Sequence, residues 1–281
     1  MAIVVFGSIN MDLVVRTPRL PALGETLTGV TFLTSPGGKG ANQAVACARL
    51  GATTRLIGRL GDDVFGRTLR EGLRVDGVDV SAVATSTGRP SGVALITVDE
   101  GGENTIIVVP GANGEMGEDD VTRLDSALED ARVLLVQLEV PLDAVMAAAR
   151  VARRHGVPLI LDPAPARALP PEVYVATDII TPNETEAAVL TGIPTDSPEG
   201  VRRAARVLIE RGARGALIKM SDKGVYWDDG RDGQFWDPVP VAATDTVAAG
   251  DAFNGALAVA LAEGRPLNEA IQWGLQRGHT R

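Results

Sequence analysis

The chain has 281 residues, 45% hydrophobic, 22% charged and only 4% aromatic. Its formal net charge of −9 makes it a poor electrostatic match for nucleic acid or an anionic membrane, and so few aromatics leave little for base stacking. One cysteine, Cys47, excludes an internal disulfide, and two histidines, His155 and His279, carry neither a zinc pattern nor a Ser-His-Asp pattern. The N-terminal "MAIVVFGSIN" lacks the basic n-region of a signal peptide, and no run approaches the ~18 apolar residues of a membrane span. A cytoplasmic location is expected.

In chain order, "IVVFG" reads as a buried strand and "GANQAVACARLG" as a helix closed by Gly51. "TRLIGRLG" is a strand and "VFGRTLREGLRVDG" a helix. "ARVLLVQLE", "VPLILDPAP", "TDIITPNE" and "ARGALIKM" are further strands with helices between most of them. This alternation predicts a three-layer α/β/α sandwich with a mainly parallel central sheet. Segments at about 12–38 and 91–113 break the alternation and read as strands without helices; "VDEGGEN" looks like a hairpin loop. They predict a small β-sheet lid over the C-terminal edge of the main sheet, where open α/β folds bind ligands. The expectation is one domain over 1–281 with a discontinuous lid.

The stretch "TDTVAAGDAFNGAL" puts Ala248, Ala249 and Gly250 ahead of Asp251 at a predicted helix start. Small residues there let backbone N–H groups approach an anion, helped by the helix dipole. A carboxylate beside that cradle suits a general base that deprotonates a hydroxyl attacking phosphorus. The alternative is that Asp251 only caps the helix. "SPGGKGANQAVA" offers Gly37, Gly38 and Gly40 as a turn, with Lys39 and Asn42 able to bind hydroxyls, or else a glycine loop for tight helix packing. It matches neither a Walker loop nor GxGxxG, which argues against a Rossmann dehydrogenase. Asn10 and Asp12 in "GSINMD" share one side of an extended segment and suit a polyol; a plain turn is the alternative. Glu139 in "QLEVP", and Asn183 and Glu186 in "ITPNETEA", follow strands. They either hold Mg2+ through water or are ordinary first-turn residues.

Taken together, "GSINMD", "GGKGANQAVA", "DPAPAR", "ITPNETEA" and "DTVAAGDAFNGAL" resemble the ribokinase-like (PfkB-type) carbohydrate kinase family, from Gly7 to about Leu257. Within it they are closer to the ribose-phosphorylating members than to fructose or adenosine kinases. The resemblance implies transfer of a phosphoryl group from ATP to the 5-hydroxyl of ribose, with Asp251 as base and the 248–251 backbone as anion hole. It implies sugar contacts from Asn10, Asp12, Gly38, Lys39, Gly40, Asn42 and Glu139. It also implies nucleotide contacts from Asn183, Lys219, Ser221, Gly224 and Gly250, and Mg2+ linked to Asn183 and Glu186. Asp245 and the Val247 carbonyl match positions that hold an activating K+, and the lid implies a homodimer. In "IKMSDKGV", Lys219 and Ser221 stand where the family commonly has threonine and glycine. The final "EAIQWGLQRGHTR" lacks the family's alanine-rich helix and TRxGA loop, so the C-terminal part of the fold is expected to be missing after about residue 275. Incomplete nucleotide and cation sites would follow. A related sugar or nucleoside kinase, or a chain that only binds sugar, are the competing readings.

Overall fold

The computed structural model describes residues 2–239 and 248–277. In chain order the strands are β1 (Ala2–Phe6), β2 (Asn10–Arg16), β3 (Thr31–Gly37), β4 (Thr53–Gly61), β5 (Val78–Asp79), β6 (Val83–Ser86), β7 (Gly92–Val98), β8 (Asn104–Val109), β9 (Ala131–Gln137), β10 (Leu159–Asp162), β11 (Ile179–Ile180), β12 (Ala216–Lys219), β13 (Val225–Asp228) and β14 (Gly233–Trp236). The helices are α1 (Lys39–Arg49), α2 (Val64–Val75), α3 (Glu118–Ala127), α4 (Leu142–His155), α5 (Pro171–Val175), α6 (Glu184–Thr191), α7 (Pro198–Glu210), α8 (Ala249–Ala262) and α9 (Leu267–Arg277).

The main sheet runs β14-β13-β12-β11-β10-β9-β1-β4-β5, and β6 pairs with the far half of β4. Its pairs are parallel from β5 across to β12. Only β12-β13 and β13-β14 are antiparallel. The central strands are apolar on both faces because helices cover both. Alternation in β1 shows the division. Val4 and Phe6 join one core with α3, α4 and α7, while Ile3 and Val5 join a second with α1, α2, α8 and α9. Fully burying each such side chain contributes about 1.5–3 kcal/mol.

Local chemistry fixes several helix ends. Asp63 accepts from the Gly66 N–H at 2.7 Å to start α2. Ser197 caps α7 ahead of Pro198 at its first position. Gly156 and Gly192 end α4 and α6 in the left-handed conformation.

A separate four-stranded sheet runs β3-β2-β7-β8. Here β2 is antiparallel to β3 but parallel to β7, with Asn10 opposite both Gly37 and Gly92. All six residues of β8 are exposed. Phe32, Ile106 and Ile107 are each more than half exposed.

Candidate active site

The loop leaving β1 and the N-terminus of α1 are pressed together. A Cβ on Gly40 would lie 2.6 Å from the carbonyl carbon of Gly7, and one on Gly38, whose φ is +91°, would lie 2.7 Å from the Asn10 nitrogen. Only glycine allows that approach. It lets Ser8, Asn10 and Lys39 meet one carboxylate. Glu139 Oε2 accepts from the Ser8 hydroxyl, from the Lys39 N–H at 3.1 Å and, more distantly, from Asn10 Nδ2 at 3.5 Å. Asn113 Nδ2 donates to Asn10 Oδ1 at 2.7 Å and so fixes the Asn10 amide from behind. Asp12 lies two residues along β2, its carboxylate against the Cα of Gly37.

Helix α8 begins with Ala248 at φ +66°, a left-handed residue whose side chain makes no capping bond. The N-cap position is Ala248, not Asp251. The Asp251 carboxylate, in the first turn and 5% exposed, accepts from Asn42 Nδ2 and from Gln43 Nε2, both at 3.0 Å. Burial pushes the Asp251 carboxyl above its usual range; Lys39 and the two amide donors pull it back, while Asp162 pushes it further up. Burial works against the charge on Lys39, but Asp162, Asp251, Glu139 and Glu186 outweigh it and hold the ammonium firmly protonated.

Gln43 is the junction. Its Nε2 also donates to Asp162 Oδ2 at 3.0 Å, and its Oε1 accepts from Gln137 Nε2 at 2.7 Å. Asp162 Oδ1 in turn accepts from Lys219 Nζ at 3.0 Å. Gln43, Asp162, Gln137, Ser8 and Asn113 were not singled out from the sequence. One signal was available: Gln137, Asp162 and Lys219 are each the polar last residue of a strand, directly after an apolar run, on the edge where open α/β folds bind ligands.

The remaining expected residues are more dispersed. Asn183 and Glu186 form a reciprocal capping box at the start of α6, with Asn183 Oδ1 accepting from the Glu186 N–H at 2.7 Å and Glu186 Oε2 accepting from the Asn183 N–H at 2.8 Å. The NxxE spacing thus has a structural use, although Glu186 also acts on Lys39 through its charge. Lys219 is not a surface lysine, its side chain being 14% exposed. Ser221 is exposed at φ +53°, where glycine would be unstrained. Gly224 closes the β12–β13 turn, where a Cβ would overlap the Trp236 carbonyl oxygen. Asp245 and Val247 lie outside the described residues. A cleft of about 1030 Å³ against the small sheet has Asp12, Asn42 and Ala248 in its lining.

No group of three or more His, Cys, Asp or Glu among the described residues is arranged to hold a metal ion. No described helix is long and apolar enough to cross a membrane.

The chain is 40% identical over 270 residues to the ribokinase of Haemophilus influenzae, covering 96% of this chain and 88% of that protein. It is 38% identical over 260 residues to the deoxyribokinase of Salmonella typhi, covering 92% and 85%. The structure of Arabidopsis thaliana ribokinase complexed with ribose and ATP superposes with a TM-score of 0.90 at 35% identity, covering 99% of this chain and 91% of that one. The pattern of the pfkB family carbohydrate kinases matches residues 2–278, and the chain belongs to that family.

Proposed function

We propose that this chain phosphorylates D-ribose at O5 at the expense of ATP, giving D-ribose 5-phosphate. The observation that carries it is the Asp251 carboxylate, buried in the first turn of α8 and aimed by Asn42 and Gln43. A sugar hydroxyl is a weak nucleophile, so positioning and charge stabilisation supply most of the rate. Glu139, Asn10, Asp12, Lys39 and Asn42, with the Gly38–Gly40 backbone, hold the sugar with O5 toward Asp251. Asp251 accepts the hydroxyl proton as the oxygen attacks the γ-phosphorus. The N–H groups at 248–250 face the transferring oxygens, and the strand ends with Asn183 and the 219–224 loop hold the nucleotide.

The residues fit Mg2+ only in company with the nucleotide. Mg2+ keeps several waters and binds through substrate phosphates with one or two carboxylates, so it would arrive on ATP. Glu186 is the carboxylate nearest that role. K+ activation belongs to the same reading through Asp245 and Val247. The exposed apolar residues of β3 and β8 support a homodimer formed through the small sheet acting as lid. A cytoplasmic location agrees with ATP as donor.

The test is coupled ADP release with MgATP and D-ribose, 2-deoxy-D-ribose or D-fructose, with and without K+. Ribose-dependent release that vanishes in Asp251→Asn is expected. Turnover preferring 2-deoxyribose would transfer the reading to a deoxyribose kinase, and no sugar-dependent release would overturn it.

A further inference from the structure

Lys219 stands where a purely structural lysine is unfavourable. Its ammonium lies over the first turn of α8, for a Cβ on Gly250 would come within 3.3 Å of Nζ. A helix N-terminus carries partial positive charge, so a cation beside it is repelled unless an anion intervenes. Asp162 offsets part of this through Oδ1, while its Oδ2 is already engaged by Gln43. An ammonium has three donors, and among the described residues Asp162 is the one hydrogen-bond partner of Nζ. Lys39 adds a second cation near Asp251. The first turn of α8, which bears Asp251, thus has Lys219 over Gly250 and Lys39 close enough to act on the Asp251 carboxylate. That pattern suits a group with several anionic oxygens. Glycine at 250 leaves room for the ammonium.

We propose that Lys219 is a further catalytic residue, its ammonium contacting the oxygens of the phosphoryl group in transit while Asp162 and Gln43 keep it in register with Asp251. This rests on the kinase reading above. In the step, the sugar O–H gives its proton to Asp251 and the sugar oxygen bonds to phosphorus. The bond from phosphorus to the bridging oxygen breaks, and its electron pair leaves on ADP. Lys219 neither gains nor loses a proton; it offsets charge on the phosphoryl oxygens. Because one glutamine amide donates to both Asp251 and Asp162, base and cation share a single positioning element.

The experiment compares the unaltered chain with Lys219→Met and Lys219→Arg. It measures kcat and KM by coupled ADP release, and ribose binding by calorimetry. It also measures MgADP binding with ribose, with and without aluminium fluoride, a mimic of the transferring phosphoryl group. Lys219→Met is expected to lower kcat by about 10²–10³-fold and to lose the fluoride-dependent tightening of MgADP. Ribose affinity stays within about threefold, and Lys219→Arg recovers about tenfold of kcat because it restores the charge. Should the methionine variant not fold, Lys219→Gln, which keeps a hydrogen bond to Asp162, replaces it. An unchanged kcat, intact fluoride-dependent tightening, or a loss of ribose affinity parallel to that of kcat would each overturn the proposal. No ribose-dependent ADP release by the unaltered chain would overturn the kinase reading and this proposal with it, whereas release that Lys219→Met leaves intact would overturn this proposal alone.

Discussion

The two halves of the site are built on opposite principles. The side proposed for the sugar is a matter of shape: Gly38 and Gly40 bring two backbone segments within the reach of a Cβ, and side chains then meet at Glu139. The side proposed for the phosphate is a matter of charge: Asp251, Asp162, Lys219 and Lys39 are held by amides and by one another. A shape-built region fails by displacement and a charge-built one by mispaired protons, so variants on the two sides should fail in different parameters.

The largest expected effect lies on the charge side. Asp251→Asn should lower kcat by about 10²–10⁴-fold, the usual contribution of a general base, with ribose affinity by calorimetry nearly unchanged. If ribose binding fell as far as kcat, the two sides would not be separable. On the shape side, Gly40→Ala forces a methyl against the Gly7 backbone. A loss of about 1–3 kcal/mol is expected, read as a raised ribose KM and a lowered unfolding midpoint, with kcat comparatively spared.

The proton side of the contrast can be sharpened by pH. Asp251 must be ionised to accept a proton, so kcat is flat above its raised pKa and falls as pH drops through it. Asp162 is one of the groups pushing that value up, so Asp162→Asn should move the acid limb of the kcat profile to lower pH. An acid limb that moves up or stays still would mean Asp251 does not govern it. The homodimer proposed through the small sheet is tested by Ile107→Lys, which places a charge on the exposed apolar face and should shift sedimentation toward monomer while sparing kcat. The smallest effect is Ser221→Gly, which relieves a left-handed backbone and should stabilise the fold by up to about 1 kcal/mol, offset partly by glycine's greater unfolded freedom.

Much of the architecture was legible because it is written locally. "IVVFG" and "ARVLLVQLE" are strand-length apolar runs, and the helix-free segments around them became the small sheet. The start of α8 was legible for the same reason: small residues adjoin a helix start in sequence as in space. The network behind it was not. Gln43 meets Asp251 across 208 positions and Asp162 across 119, and no local spacing encodes such meetings. Asn183 and Glu186 show the converse: a spacing with a functional look that local capping alone would produce. Lys219 fell between, visible as a departure from the family pattern but without its partner.

The edge of the main sheet has a consequence for how such a site changes over generations. Gln137, Asp162 and Lys219 each come from a different strand and each occupies its final position, while the sheet itself is held by backbone pairing. One position can be rewritten without breaking the backbone pairing of the strand that bears it, although its side-chain partners through Gln43 and Asp162 must adjust. A saturation scan should therefore find sharp intolerance confined to the exit residue of each strand, with apolar exchange accepted one and two positions upstream. Selection for a new acceptor sugar or donor could then proceed by coupled changes at the strand exits on an unchanged frame.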